Sequence, residues 1–261
     1  MSLSLDQKLL ELHGVGLAFG GLQAVERVSF RVPQGMVKAI IGPNGAGKTT
    51  LFHLITGFLA PQEGRIIFRG DDIQGLPAHV IAQRGIARTF QLVQLFEHLT
   101  VLENVMVGRH RLSRAGFLAG ALHLPWAGRE EEEIRVKALE ALELVGLGPY
   151  AQQAAAVLPL GLKRLLEIAR ALASEPRLLL LDEPASGLDP VETERLEEII
   201  LTLREQGLTI LLVEHDMALT MEVADEIAVL NYGRLIADGP PRAIQKNPEV
   251  IAAYLGTDWQ A

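Results

Sequence analysis

The 261 residues predict an α/β protein: a mostly parallel central sheet with helices on its faces and a helical subdomain inserted into it. Three observations carry this prediction. A glycine-rich octapeptide, Gly42–Thr49, joins a continuous apolar run to a helical stretch. Leu178–Leu181 is a second continuous apolar run, as expected of a strand covered on both faces. Between the two lies a region of helical spacing, and after them strand and helix patterns alternate.

Taken in order, Leu9–Leu17, Val25–Val32 and Arg65–Arg69 are short, alternating or apolar, and bounded by glycine or proline; each reads as a strand. Val37–Ile41 is continuous and reads as a central strand, and Thr50–Thr56 opens a helix. Val101–Gly108 is apolar on one side. Glu130–Val145 repeats Ile134, Ala138, Ala141, Leu142 and Val145 at helical spacing, and Leu162–Ala173 does the same. The helical middle, Phe96–Ser174, is the inserted subdomain. Leu178–Leu181 and Thr209–Val213 are strands flanking a helix at Pro190–Glu205. Glu226–Leu230 and Arg234–Ala237 form a hairpin around Tyr232–Gly233, and Pro240 starts a last helical region. With no linker, repeat or low-complexity stretch, residues 1–261 read as one domain.

Composition narrows the function. With 49% hydrophobic and 21% charged residues the chain is globular. It has no cysteine, which excludes disulfides, thiolate zinc sites and cysteine nucleophiles, and fits a reducing compartment. A formal net charge of −8 opposes binding to a phosphate backbone, so no nucleic acid partner is expected. Arg109, Arg111 and Arg114 are the nearest approach to a basic patch. Met1–Gly14 lacks the layout of a signal peptide. The longest apolar stretches, Phe117–Ala127 and Leu178–Leu181, fall short of the about 20 residues of a spanning helix. The chain is therefore expected to be soluble, or to sit on a membrane by holding a partner.

The octapeptide GPNGAGKT fits G-x-x-x-x-G-K-[ST], the phosphate-binding loop of nucleoside triphosphatases, with strand before and helix after as that motif requires. Small residues at Gly42, Gly45, Ala46 and Gly47 let the backbone wrap a polyphosphate closely. The amides of the new helix would point at the anion. Asn44, Gly45, Ala46, Gly47, Lys48, Thr49 and Thr50 are the candidate nucleotide-binding residues; Lys48 would reach the β- and γ-phosphates and the Thr49 hydroxyl would go to Mg²⁺. The second constellation is LLLLDEP, Leu178–Pro184. Two carboxylates leave the C-terminal end of a buried strand, where open α/β sheets bind ligands. Asp182 would hold Mg²⁺, through a water, and Glu183 would take a proton from the attacking water. A nucleoside triphosphate and Mg²⁺ are the implied ligands.

With these motifs in this order the chain resembles the ATP-binding cassette (ABC) ATPases over nearly its whole length. That resemblance implies a P-loop core with an antiparallel β subdomain beside the parallel sheet. SGLD, Ser186–Asp189, is similar to the family's D-loop, which lies across a dimer interface; Ser186, Gly187 and Asp189 are its candidates. EHD, Glu214–Asp216, resembles the switch loop, so His215 would contact the γ-phosphate. TFQ, Thr89–Gln91, resembles the Q-loop, so Gln91 would reach Mg²⁺ and the attacking water. Phe19 in AFGG matches the aromatic that stacks on adenine, with Val25 lining the same face.

One motif departs from the pattern. Where the family has LSGGQ, Leu158–Lys163 reads LPLGLK. Gly161 and the helix after it match; Pro159 replaces the serine, Leu160 the first glycine and Leu162 the glutamine. Pro159 offers neither a hydroxyl nor an amide hydrogen. The Gly161 amide and the helix N-terminus remain as donors toward a γ-phosphate held by the opposite subunit. Degenerate LP-x-G forms resemble those of the branched-chain amino-acid uptake branch. So do FGGLQAVERVSF (Phe19–Phe30), ARTFQLVQLFEHLTVLENVMVG (Ala87–Gly108), PEVIAAYLG (Pro248–Gly256) and the extra segment near residues 109–129. That segment is either local packing or a docking surface for a permease; Glu130–Glu133 opens a helix whose dipole the acids complement.

The resemblance implies an ATP-hydrolysing, energy-coupling subunit of a membrane importer for branched-chain amino acids. Its partners would be transmembrane permease subunits, a second ABC ATPase in a hetero- or homodimer and, indirectly, an extracytoplasmic solute-binding protein. It would lie at the cytoplasmic face of the inner membrane, held there by the permeases. Three alternatives stay open: the same role for another cargo (urea, amides, other amino acids or a lipid), a soluble ABC ATPase of cofactor assembly or DNA repair, or, in view of Pro159, a nucleotide-dependent switch with negligible hydrolysis.

Overall fold

The structure is a computed structural model and describes residues 8–109 and 125–255. The described residues divide into two compact units. One contains the chain up to Arg88, Leu178–Glu183 and everything from Ile200 on; the other contains Thr89–Arg177 and Pro184–Ile199.

The first unit holds two sheets. One is antiparallel, of β1 (Lys8–Phe19), β2 (Leu22–Pro33), β4 (Glu63–Phe68) and β5 (Asp71–Asp72), in the order β2-β1-β4-β5. Along β2, Val28, Phe30 and Val32 are buried while Arg27, Ser29 and Arg31 are exposed, the period-2 pattern of a sheet packed on one side. The other sheet contains β3 (Val37–Ile41), β6 (Ile86–Arg88), β7 (Leu178–Asp182), β8 (Thr209–Val213), β9 (Glu226–Asn231) and β10 (Arg234–Gly239). Its order is β10-β9-β3-β8-β7-β6, and all pairs are parallel except the β9–β10 hairpin. Every residue of β3, β7 and β8 is buried, which is why each reads as a continuous apolar run. Helix α1 (Lys48–Ile55) contributes Leu51, Phe52, Leu54 and Ile55 to a core that also contains residues of both sheets.

Lys38 is the exception within VKAII. It is 1% exposed, with its Nζ 2.6 Å from Asp238 Oδ1 and 3.0 Å from Glu226 Oε2, and 5.3 Å from the centre of the Phe30 ring. Two carboxylates from β9 and β10 compensate an ammonium that burial alone would expel.

The second unit is helical: α3 (Val101–Arg109), α4 (Pro125–Leu144), α5 (Leu160–Leu172) and the first part of α6 (Pro190–Glu205). Val101, Val105, Ile134, Ala138, Leu142, Leu165 and Leu166 are buried there. Gly108 is required by a close helix approach, since a Cβ on it would overlap the Arg170 carbonyl. Arg109 is buried as well. Its guanidinium meets two exposed carboxylates, Glu175 at 3.0 Å and Glu133 at 3.7 Å. Arg111, Arg114 and most of the 109–129 segment lie outside the described residues.

The expected elements are present, with shifted ends. Helix α5 begins at Leu160, two residues before the apolar periodicity suggests, because Pro159 occupies its N-cap and needs no amide hydrogen there. Asp182 is the last residue of β7 and not the first after it. The short elements β5, β6, α2 (Ala78–Gln83) and α7 (Met217–Val223) had no sequence signal of their own. The region after Pro240 is α8 (Pro241–Ile244) and α9 (Pro248–Leu255). Among the described residues no helix is long and apolar enough to cross a membrane.

Candidate nucleotide-binding site

Register brings the motifs of the first unit to one edge. Ile40 of β3 pairs with Val213 of β8, and Val213 pairs with Asp182 of β7. The three strands therefore end level. Past their C-terminal ends come Gly42–Gly47, Glu214–Asp216 and Glu183, at the side of the sheet where such folds bind ligands.

Gly42–Gly47 wraps into the N-terminus of α1. Gly47 is the N-cap at φ +100°, and no side chain caps the helix. A Cβ at Gly47 would overlap the Ala24 carbonyl, and one at Gly42 the Leu230 carbonyl. Glycine is thus needed twice, by conformation and by contact. The loop is braced from the hairpin turn: the Gly233 N–H donates to the Ala46 carbonyl at 3.0 Å, and the Gly233 carbonyl accepts from the Glu26 N–H at 2.8 Å. Asn44, Gly45 and Thr49 are exposed, Gly47 and Thr50 half-buried, and Ala46 buried. An uncapped helix N-terminus with a tight glycine cradle before it suits a polyphosphate.

Lys48 is 6% exposed. Its ammonium donates to the loop's own carbonyls, Gly42 at 2.7 Å and Pro43 at 3.1 Å. Burial holds its pKa below the ordinary lysine value, and the charges of Glu183 and Asp182 act against that shift. A lysine influenced by both acids is the electrostatic counterpart of the shared sheet edge.

Asp182 is 2% exposed, and its Oδ2 accepts from Arg88 Nη2 at 2.6 Å. Glu183 has φ +48°, a left-handed conformation uncommon for a residue with a Cβ, held by its N–H donating to the Val213 carbonyl at 2.8 Å. The turn aims its carboxylate at His215, whose Nε2 lies 2.7 Å from Glu183 Oε1. Behind His215, Glu214 Oε2 accepts from the His215 and Asp216 amides at 2.8 and 3.1 Å, and Asp216 caps α7 through the Leu219 amide at 3.0 Å.

No group of three or more metal-ligating side chains occurs among the described residues. That excludes an all-protein cage there, but not Mg²⁺, which takes one or two protein oxygens and completes its shell with phosphate and water. Thr49 and Asp182 supply oxygen donors of that kind.

Phe19 ends β1 with 49% of its surface exposed. Val25 does not share that face: it is fully buried in the core, so it offers no surface to a base. The remaining candidates belong to the second unit. Gln91 lies on an exposed loop. Gly161 and Leu162 are in the first turn of α5, not before it. Ser186, Gly187 and Asp189 are exposed ahead of α6. Asp189 caps that helix: its Oδ1 accepts from the Glu192 amide at 2.8 Å, and Glu192 Oε2 accepts from the Asp189 amide at 3.1 Å. Arg164 steadies the same loop by donating to the Ser186 carbonyl at 3.3 Å. Sequence reasoning missed Arg88. It ends a three-residue strand, and nothing in IAR distinguishes a site arginine from a surface one.

Comparisons with known proteins identify the family. Residues 25–186 match the ABC transporter family, and residues 234–259 match the branched-chain amino acid ATP-binding cassette transporter family. The high-affinity branched-chain amino acid transport ATP-binding protein BraF of Pseudomonas aeruginosa is 47% identical over 253 residues, covering 97% of this chain and 99% of that protein. LivG of Escherichia coli, with the same description, is 45% identical at the same coverage. Among solved structures, the ADP conformation of an ATP-binding cassette of an ABC transporter superposes with a TM-score of 0.84 at 33% identity, covering 96% of this chain and 100% of that one. The dimeric post-hydrolysis state of another cassette, bound to ADP and Pi, gives 0.75 at 27% identity, covering 90% of this chain and 99% of that one. The chain belongs to the ABC transporter family as an ATP-binding, ATP-hydrolysing subunit, and within that family it is similar to the branched-chain amino acid transport ATPases.

Proposed function

We propose that residues 1–261 act as one ATPase domain that powers uptake of branched-chain amino acids. It would work at the cytoplasmic face of the cell membrane, bound to permease subunits and paired with a second ABC ATPase. The observation that carries the cargo is 47% identity over 97% of the chain to a protein described as serving that transport. The ATPase part has independent support in the three level strand ends, which gather Lys48, Asp182, Glu183 and His215.

In this mechanism the amides of Gly45–Thr50 and the Lys48 ammonium bind the phosphates of ATP, and Lys48 exchanges the carbonyls of Gly42 and Pro43 for phosphate oxygens. Phe19 gives an exposed ring for the adenine. Glu183 takes a proton from a water whose oxygen bonds to the γ-phosphorus, and the bond to the bridging oxygen of ADP breaks, leaving ADP and phosphate. His215 orients the Glu183 carboxylate and, turned outward, reaches the γ-phosphate. Magnesium, held by Thr49 and Asp182, would neutralise charge on the phosphates. Gly161 and Leu162 at the head of α5, with Ser186, Gly187 and Asp189, would face the nucleotide of the partner ATPase.

Purification of the complex from membranes tests the assignment. Hydrolysis by the complex is expected to rise when a solute-binding protein loaded with leucine, isoleucine or valine is added. Stimulation by an unrelated solute class alone would replace the cargo and leave the ATPase in place.

A further inference from the structure

Arg88 is the buried cation at the metal-binding end of the site, and none of the recognised motifs assigns it a role. It is in register with Leu180, two residues before Asp182, so the two side chains share one face of the sheet. Both are almost fully buried, and the Nη2–Oδ2 distance is 2.6 Å. The guanidinium has a second set of contacts. It lies 5.5 Å from the ring centre of Phe52 and 5.9 Å from that of Phe58, and its Nη1 is 3.3 Å from the Thr56 hydroxyl. All three residues belong to α1 or to the turn after it, directly downstream of the phosphate loop.

We infer that Arg88 is the resident counter-ion of Asp182, and that magnesium must compete with it for this carboxylate when nucleotide binds. The inference rests on Asp182 being a metal residue. A carboxylate taken out of water needs a cation at all times. Arg88 supplies one while no metal is present. A divalent ion held by this carboxylate through a water meets a fixed positive charge nearby, which weakens its binding unless the arginine moves away. The Phe52 and Phe58 faces give the guanidinium a favourable seat once the carboxylate is withdrawn. Arg88 is thus a positioning residue that makes metal binding conditional on nucleotide, and not a catalytic group.

Binding of Mn²⁺ to the ADP-loaded protein, read by the electron paramagnetic resonance of the free ion, tests this without hydrolysis. Arg88→Met is expected to tighten Mn²⁺ binding about tenfold, because the competing charge is gone. Arg88→Lys restores the charge and is expected to return the affinity to within about threefold of wild type. A Met variant with unchanged or weaker Mn²⁺ affinity overturns the inference. Asp182→Asn separates this failure from the underlying one: if it leaves Mn²⁺ affinity unaltered, Asp182 is not a metal residue and the competition falls with it. Should the Met variant not fold, the wild-type protein decides. With ¹⁵N-labelled arginine, the Arg88 side-chain signal is expected to shift when Mg²⁺ is added to the ADP complex, and a signal that stays in place contradicts the exchange.

Discussion

His215 Nε2 and Glu183 Oε1 lie 2.7 Å apart, joining the second residue after β8 to the first residue after β7. Nε2 is the donor of this contact in the imidazole tautomer that carries its proton there, with the carboxylate oxygen accepting. The left-handed turn at Glu183 makes the contact possible and fixes where the carboxylate points. Glu183→Gln keeps the shape of the side chain and removes its basicity. Turnover is expected to fall about 10²- to 10⁴-fold with nucleotide affinity retained. Hydrolysis at the wild-type rate would remove Glu183 from the role of base.

Buried Lys38 is paired with both Asp238 and Glu226. Asp238→Asn removes the nearer carboxylate and leaves the other. The expected cost is about 1–2 kcal/mol, below that of a fully orphaned buried charge because Glu226 stays. Urea unfolding at neutral pH measures it, and an unchanged midpoint would mean that Glu226 alone suffices.

Glu167 is 3% exposed, and burial raises its pKa, opposed by the Gln94 amide at 2.9 Å and by the charges of Arg170 and Arg164. A folded-state pKa above the unfolded one means that the folded protein holds this proton more tightly. The contribution to stability is complete below the unfolded value and is lost as pH rises through the folded one. Relative to Glu167→Gln, the wild type is therefore expected to lose stability between acid and neutral pH. A difference between the two proteins that does not vary with pH would show that the carboxylate is not penalised.

Gly108 sits inside α3 against the backbone of α5. Alanine is the better helix former by about 1 kcal/mol. Its Cβ would overlap the Arg170 carbonyl, and backbone cannot give way as a side chain can. Overpacking costs about 1–3 kcal/mol, so Gly108→Ala is expected to be neutral to destabilising. A clear rise in thermal midpoint would mean that the two helices move apart readily.

Most of the site was readable because its signals are local. A phosphate loop is eight consecutive residues, and a buried parallel strand is an unbroken apolar run, so Gly42–Thr49 and Leu178–Glu183 identify themselves. What escaped depends on neighbours far away in sequence. The resemblance places Val25 on the adenine face with Phe19, but the register shift between Val25 and Val28, where Arg27 takes φ +47°, turns it into the core. Arg88 pairs with an acid 94 residues away, and its strand β6 is too short to show a period. Lys38 was passed over within an apolar run, since nothing nearby announces carboxylates at 226 and 238. Helix α5 starts two residues before Leu162, where the apolar spacing begins, with Pro159 as the residue before its first turn.

Titration calorimetry of Mg²⁺-ADP into the wild-type protein and into Lys48→Ala is the most direct measurement of the claim that Gly42–Thr49 binds the phosphates. Saturable binding by the wild type is expected, weakened about 10- to 100-fold in the variant by loss of a charge-assisted contact. Equal affinity in the two proteins, or no binding to the wild type, would contradict it.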